Sequence, residues 1–402
     1  MKKMINVIFC LLLISTLAML TGCEYNVAEP LWNQPHAEVP TPEITSITPA
    51  GVAVAGANTI MIEGVNFGAT IESNDVYFDN VPAEIMSASS TSITVRRPNL
   101  VADSALVKVS PHEALVVATH GPYGIDPVMG YYGNFLENAV LSAAALDADE
   151  NLYVFQRTSP ASVVKVTPDG EPEIFADALD RAVTDAKMGP DGLMILLRNN
   201  RDVTRLNLET GEETEWINLS KSVTYGDLDA NGNLYVGGRR SDLIVVLPDE
   251  SSSQIGEWTK DEILWVRVYE DYVYVLVDIA RPTEENPDMS IWRHAIDGAG
   301  NVGARELVLN WTETGEYAES TPSCFTFSTD GLMLVGTDYT HPIMLFNPAT
   351  GTQDILYKEI LPTTAQQLVW GNDTNVYMIL SGESNNMVRI DMGAAGAPYH
   401  GR

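Results

Sequence analysis

Cysteine, cations and histidine are all scarce in this chain of 402 residues. Two of the three cysteines fall within the first 23 residues, so the body of the protein holds only Cys324 and no disulfide framework is expected. Lysine and arginine number 23 against 54 acidic residues, giving a formal net charge of −31. A chain so acidic repels nucleic acid and anionic headgroups, which removes both as partners. The histidines are scattered and supply no H-E-x-x-H or H-x-x-x-H pair for zinc. Neither a G-x-S-x-G elbow nor a phosphate loop occurs. No catalytic set, metal site or cofactor is therefore expected. A membrane-spanning run is missing as well, because the apolar segment from Val7 to Leu20 is too short to cross a bilayer.

What is present is a repeat. An apolar run, an acidic turn and an alternating apolar run recur six times between Ala139 and Asp391. Leu146-Asp-Ala-Asp-Glu-Asn-Leu-Tyr-Val154 and Leu228-Asp-Ala-Asn-Gly-Asn-Leu-Tyr-Val236 are the clearest copies. The first apolar residues after the turns are Leu152, Leu193, Leu234, Val273, Leu332 and Val376, spaced by 41, 41, 39, 59 and 44 residues. A period near 40 with about four short strands per unit is the signature of a β-propeller. Third strands are expected at 162–166, 203–208, 242–247, 290–296, 342–347 and 387–392. Fourth strands are expected at 173–175, 215–219, 256–258, 306–309 and 354–357. The sixth unit has no fourth strand of its own, and only the Gly- and Ala-rich residues 393–402 remain. The segment Val128 to Leu136 is the natural donor, and its pairing with 387–392 would close the ring and remove an exposed edge. The repeat rhythm resembles that of NHL-type six-bladed propellers, which implies fold and little else.

The N-terminus reads as an address. Lys2 and Lys3 precede the apolar run, which ends Leu20-Thr21-Gly22-Cys23. That tetrapeptide resembles the lipobox of bacterial lipoproteins. The resemblance implies cleavage after residue 22, acylation of Cys23 and membrane attachment through the lipid. Glu24 follows rather than Asp, so an outer-membrane, surface-exposed location is expected. Residues 23–41 form a Pro-rich tether, able to reach up to roughly 55 Å if extended.

Residues 42–125 read as a small β-sandwich of short, partly alternating runs punctuated by Pro and Gly. Pro42-Glu-Ile-Thr-Ser-Ile-Thr-Pro-Ala-Gly51 and Gly56-Ala-Asn-Thr-Ile-Met-Ile-Glu-Gly-Val-Asn-Phe-Gly68 resemble the IPT/TIG immunoglobulin-like family. The resemblance implies a spacer domain. Gly64 and Gly68 bracket a corner expected to need positive φ, with Phe67 plugging the sandwich end. Pro122 to Asn138 is an aromatic join. The whole chain is thus all-β: leader 1–22, tether 23–41, Ig-like domain 42–125 and six-bladed propeller 126–402.

Candidate functional residues follow from propeller geometry. Near the starts of the innermost strands lie Ala143, Asp185, Tyr225, Trp265, Cys324 and Gln367. Lactonases of this fold hold a metal there with several carboxylates, and this set offers one. Asp185, Tyr225, Trp265 and Gln367 instead suit a polar, ring-shaped ligand such as a sugar, with stacking on aromatic faces and hydrogen bonds to hydroxyls. Plain channel packing is the competing reading. The 59-residue spacing places long loops at 278–288 and 310–322, so Trp311 and Tyr317 join the candidate ligand residues. Asp147–Asn151 and Asp229–Asn233 look like the start of a calcium loop, but Thr158 and Arg240 stand where the twelfth-position Glu belongs. They read as structural turns. The expectation is a non-catalytic, lipid-anchored binding protein, its specific form being polysaccharide capture beside an outer-membrane transporter. The alternatives are a propeller hydrolase or lyase acting on a lactone or polysaccharide, and a structural envelope or adhesion protein.

Overall fold

The computed structural model describes residues 40–136, 139–179, 181–381 and 387–402. The leader, Cys23 and most of the tether lie outside the described residues. The rest is all-β, in two units.

The first unit is a sandwich of two sheets. One runs in the order Glu43–Thr48, Thr59–Val65, Ser92–Arg96, Ile85–Ala88, and the other in the order Val52–Ala53, Ala118–Ile125, Ala102–Pro111, Asn74–Phe78, Val81–Pro82. Alternation explains it: in Thr59–Val65, Ile60, Ile62 and Gly64 face inward while Met61, Glu63 and Val65 face out. Phe67 is buried against this core. The glycine expectation needs correcting. Gly64 and Gly68 have no positive φ; the corner takes its left-handed residue at Asn66, with φ 61°. Gly64 is needed for close approach, since a Cβ there would lie 2.2 Å from the Glu43 carbonyl oxygen and 2.3 Å from the Phe67 ring. The aromatic join is also shorter than its sequence indicates. Ala118–Ile125 is a sandwich strand, and Tyr123 is a core residue whose hydroxyl donates to the Pro49 carbonyl at 3.0 Å.

The second unit is a ring of six four-stranded antiparallel sheets. The innermost strands are Leu141–Leu146, Asp185–Met188, Tyr225–Leu228, Glu262–Tyr269, Pro322–Phe327 and Ala365–Trp370. Second strands such as Met333–Thr337 are buried along their whole length, because each blade is covered on both faces by its neighbours. Outermost strands are short or exposed. In the third blade that strand is Ser252–Gln254 and not the expected 256–258. Trp258 turns inward instead and is fully buried.

The acidic turns cap hairpins with their own side chains. Asp147 Oδ1 accepts from the backbone N–H groups of Asp149 and Asn151, and Oδ2 accepts from Asn151 Nδ2 at 2.9 Å. Asp229 with Asn233, and Asp297 with Asn301, repeat the arrangement. Each carboxylate spends its acceptors on its own turn.

The ring closes through the strand that precedes it. Met129–Tyr131 pairs antiparallel with Met387–Asp391, in the register Met129↔Ile390, Gly130↔Arg389 and Tyr131↔Val388. Tyr132, the next residue, is buried. Its ring lies 5.1 Å from that of Tyr377 in the sixth blade, and its hydroxyl donates to the Thr167 carbonyl of the first blade at 2.6 Å.

The sandwich docks on the fifth and sixth blades. Asn58 Nδ2 donates to Asp354 Oδ2 and to the Ile355 carbonyl, each at 2.8 Å, and Asn58 Oδ1 accepts from Tyr357 N at 2.9 Å. Arg96 Nη1 lies 2.9 Å from Asp354 Oδ1. The Tyr357 hydroxyl accepts from Gly56 N at 2.7 Å and donates to the Asp391 carbonyl at 2.8 Å, which ties sandwich, fifth blade and closing seam together.

Tyr132→Ala removes a buried ring shared by the first and last blades. It is expected to cost about 3–5 kcal/mol in urea denaturation. A loss below about 1 kcal/mol would mean that the seam does not control propeller stability.

Candidate functional site

Each innermost strand presents one backbone edge to the central channel, and buried N–H and C=O groups need partners. Side chains of the preceding blade supply them. Asp185 Oδ2 accepts from Gly226 N at 3.0 Å, and Asp227 Oδ2 from Val268 N at 2.9 Å. Trp265 Nε1 donates to the Phe325 carbonyl at 2.8 Å, and Ser323 Oγ to the Ala365 carbonyl at 2.6 Å. Gln367 Oε1 accepts from Ala144 N at 2.9 Å, linking the sixth blade to the first. The first blade carries only small residues at this level, Ala143 to Ala145. There Gln367 Nε2 reaches past it to Asp185 Oδ1 at 3.3 Å.

The predicted channel residues are therefore brought together. Asp185 is fully buried, Trp265 and Gln367 are each 3% exposed, and Tyr225 is half-buried with its ring 5.1 Å from that of Trp265. The polar side-chain atoms of Asp185, Trp265 and Gln367 are used in joining blades. Lys187 Nζ lies 2.5 Å from Asp185 Oδ1. Burial pushes the Asp185 carboxyl above the usual carboxylate range, while Lys187 and the Gly226 N–H pull it down. Burial also lifts the Tyr225 hydroxyl to about 12 and the Cys324 thiol to about 11, so neither ionises near neutrality. Trp311 and Tyr317 do not reach solvent from their loop. Each is 2% exposed; Trp311 Nε1 donates to the Ser320 carbonyl at 2.8 Å, and the Tyr317 hydroxyl to that of Ile343 at 3.2 Å.

The far end of the channel is sealed by residues 393–402, which the sequence presents as a leftover. Ala397 N donates to the Phe327 carbonyl, and the carbonyls of Ala397 and Pro398 accept from Arg267 Nη2 at 3.0 Å. The Arg267 guanidinium lies 3.7 Å from the centre of the Tyr399 ring and is paired with Asp227 at 2.6 Å. Arg402 Nη1 donates to the Trp370 carbonyl. What remains inside is a void of about 10 Å³, room for roughly one water.

An open hollow lies elsewhere. Connections between second and third strands, and those between blades, emerge on the face opposite the acidic turns. Both long segments of the fourth repeat lie there. Strand Tyr272–Asp278 leads into 279–288, which with 257–261 and Arg305 encloses about 310 Å³. Arg305 is braced from behind: its guanidinium carbon sits 4.7 Å from the Trp258 ring centre and 4.8 Å from that of Trp292. Trp258 Nε1, a donor only, gives its proton to His294 Nε2 at 3.1 Å. His294 is thereby the neutral tautomer, with Nδ1 donating to the Gly303 carbonyl at 2.9 Å. The 59-residue spacing signalled this loop, but nothing in the sequence singled out Arg305 or its tryptophan support. Among the described residues no group of three or more His, Cys, Asp or Glu side chains is placed to hold a metal ion.

Comparison with known families decides the sandwich. Residues 42–122 are an IPT/TIG domain. No curated protein matches the chain. Among solved structures, an auxiliary nutrient binding protein from Bacteroides thetaiotaomicron VPI-5482 is 13% identical, covers 87% of this chain and 97% of its own, and superposes with a TM-score of 0.52. A protein of unknown function from the same organism is 11% identical, with coverages of 87% and 97% and a TM-score of 0.50. A putative gluconolactonase is 13% identical, covers 67% of this chain and 94% of its own, and has a TM-score of 0.51. At such identities the likeness is one of fold. The two Bacteroides structures match more of the chain than a propeller alone occupies.

Two outcomes are expected. Asp227→Ala strands Arg267 as a buried, unpaired cation and should cost about 3–5 kcal/mol, with much of the loss recovered in the Asp227→Ala/Arg267→Met double variant. Equal destabilisation of the single and double variants would show that the pair is not the cause. His294 supplies the pH test. Burial holds its proton affinity below the ordinary value of 6.5, so the unfolded chain protonates first as pH falls. Stability from this group is present above about pH 6.5 and lost below it. The drop in melting temperature between neutral pH and pH 5 should be smaller in His294→Gln than in wild type; superimposable profiles would rule the mechanism out.

Proposed function

We propose that this chain is a lipid-anchored, non-catalytic binding protein of the bacterial outer membrane, presenting its propeller as a polysaccharide-capture module beside a transporter. The observation that carries the reading is the contrast between the two ends of the candidate machinery. Asp185, Trp265 and Gln367 in the channel are engaged in blade-to-blade hydrogen bonds, and one end is sealed by residues 393–402. The hollow on the fourth blade stays open, with a charged group held in place by rigid aromatic support. Preorganised side chains around an open concavity suit binding.

Further support comes from the N-terminus, the net charge and the fold. The tetrapeptide Leu20-Thr21-Gly22-Cys23 fits lipid attachment at Cys23. The net charge of −31 fits a solvated exterior. The solved structure that covers 87% of this chain at 13% identity is an auxiliary nutrient binding protein. A propeller hydrolase or lyase would have to find its acid, base or metal among channel groups that are already paired.

A screen of residues 24–402 against polysaccharides, by affinity electrophoresis and glycan array, tests the proposal. At least one polysaccharide should retard the protein without being degraded. Retention by none would favour the structural reading, and product release from a lactone or polysaccharide would favour the enzyme.

A further inference from the structure

The hollow of the fourth blade has a charge balance unlike that of the rest of the protein. The chain carries 23 basic against 54 acidic residues, yet three basic side chains, Lys260, Arg281 and Arg305, line this hollow beside two acidic ones, Glu257 and Asp261, with Asp278 within electrostatic reach of Asp261 and of Asp288. Asp261 is partly engaged, its Oδ1 accepting from Ala280 N at 3.0 Å, which pins the loop to the floor. Glu257 stands 3.7 Å from Arg305 Nε, at ion-pair range without a hydrogen bond. Asn286 Oδ1 accepts from Arg305 Nη2 at 2.6 Å and sets the plane of the guanidinium. Among the described residues Arg305 Nη1 has no hydrogen-bond partner, and neither Lys260 nor Arg281 has an ion pair.

We propose that this hollow binds a sugar acid, with Arg305 clasping the carboxylate; the proposal rests on the capture reading above and names its ligand class. A fixed, planar guanidinium matches a carboxylate through two parallel N–H···O bonds, and bracing by two indole rings lowers the entropy lost on binding. Lys260 and Arg281 add attraction without geometric demand. Ile279 and Ala280 offer an apolar floor for the C–H face of a sugar ring, while the Thr259 hydroxyl offers a partner for a sugar hydroxyl. A cavity of about 310 Å³ is at the small end of ligand sites and suits one or two sugar residues.

Calorimetric titration of the lipid-free chain with oligogalacturonate, with its methyl ester and with succinate tests this. The acid should bind, more weakly at high salt, and the ester and succinate should bind at least about tenfold more weakly, which corresponds to 1.4 kcal/mol. Arg305→Gln should lose about tenfold or more in affinity. Arg281→Gln, on the open loop, should lose a few-fold with no change in melting temperature, which guards against misfolding as the cause. Failure of the acid to bind, equal binding of the ester or succinate, or wild-type affinity in both variants overturns the proposal. If a neutral polysaccharide is retained equally by wild type and Arg305→Gln, the sugar-acid assignment fails while polysaccharide capture stands. If no polysaccharide of any charge is retained, both fail.

Discussion

The unpaired inner edge of each blade is the constraint on which the propeller depends. A four-stranded sheet can hide its outer edge by being short or exposed to water, but its inner edge faces a narrow, dry axis. This protein satisfies that edge with side chains lent from one blade to the next. Asp185, Asp227, Trp265, Ser323 and Gln367 each reach a main-chain group on the following innermost strand. That demand leaves little freedom for chemistry at the axis. Where the first blade contributes alanines, Gln367 and Asp185 bridge across it, so the small residues at 143–145 and the long amide at 367 belong to one solution.

Much of the architecture was legible because it is periodic. The turns at Asp147 and Asp229 announce hairpins, the missing sixth outer strand demands a donor, and Val128 to Leu136 holds the only aromatic-rich segment placed to provide it. The level of the channel residues was legible for the same reason. Their role was not, because the sequence gives residue type and strand position but not which main-chain group lies opposite. Docking of the two units was illegible for a different reason. Asn58 and Arg96 meet Asp354 and Tyr357 across roughly 260 to 300 residues of chain, and nothing local marks any of them. Trp258 misled as a strand residue because its apolarity serves Arg305 and His294 rather than an outer strand.

The fourth blade is where the repeat departs from its rhythm, and its two insertions have different fates. Residues 311–317 fold back, burying Trp311 and Tyr317 as extra core. Residues 279–288 stay at the surface and wall a cavity. An insertion is thus a licence for function only when its aromatic content is low enough to leave it in water. Arg305 reverses the usual relation of aromatic to ligand: the tryptophans sit behind the cation and hold it.

The seam between Tyr131 and Val388 also sets an order in time. One half of the pair is made about 260 residues before the other, so the ring stays open until the later strand has emerged. Until then the sixth blade has no outer strand and the first has no neighbour on one side. Such a long-range contact is slow to form, and the unpaired edges it leaves are competent to pair with another copy. Completion of this ring is in effect a quality check: a chain truncated before Met387 cannot pass it.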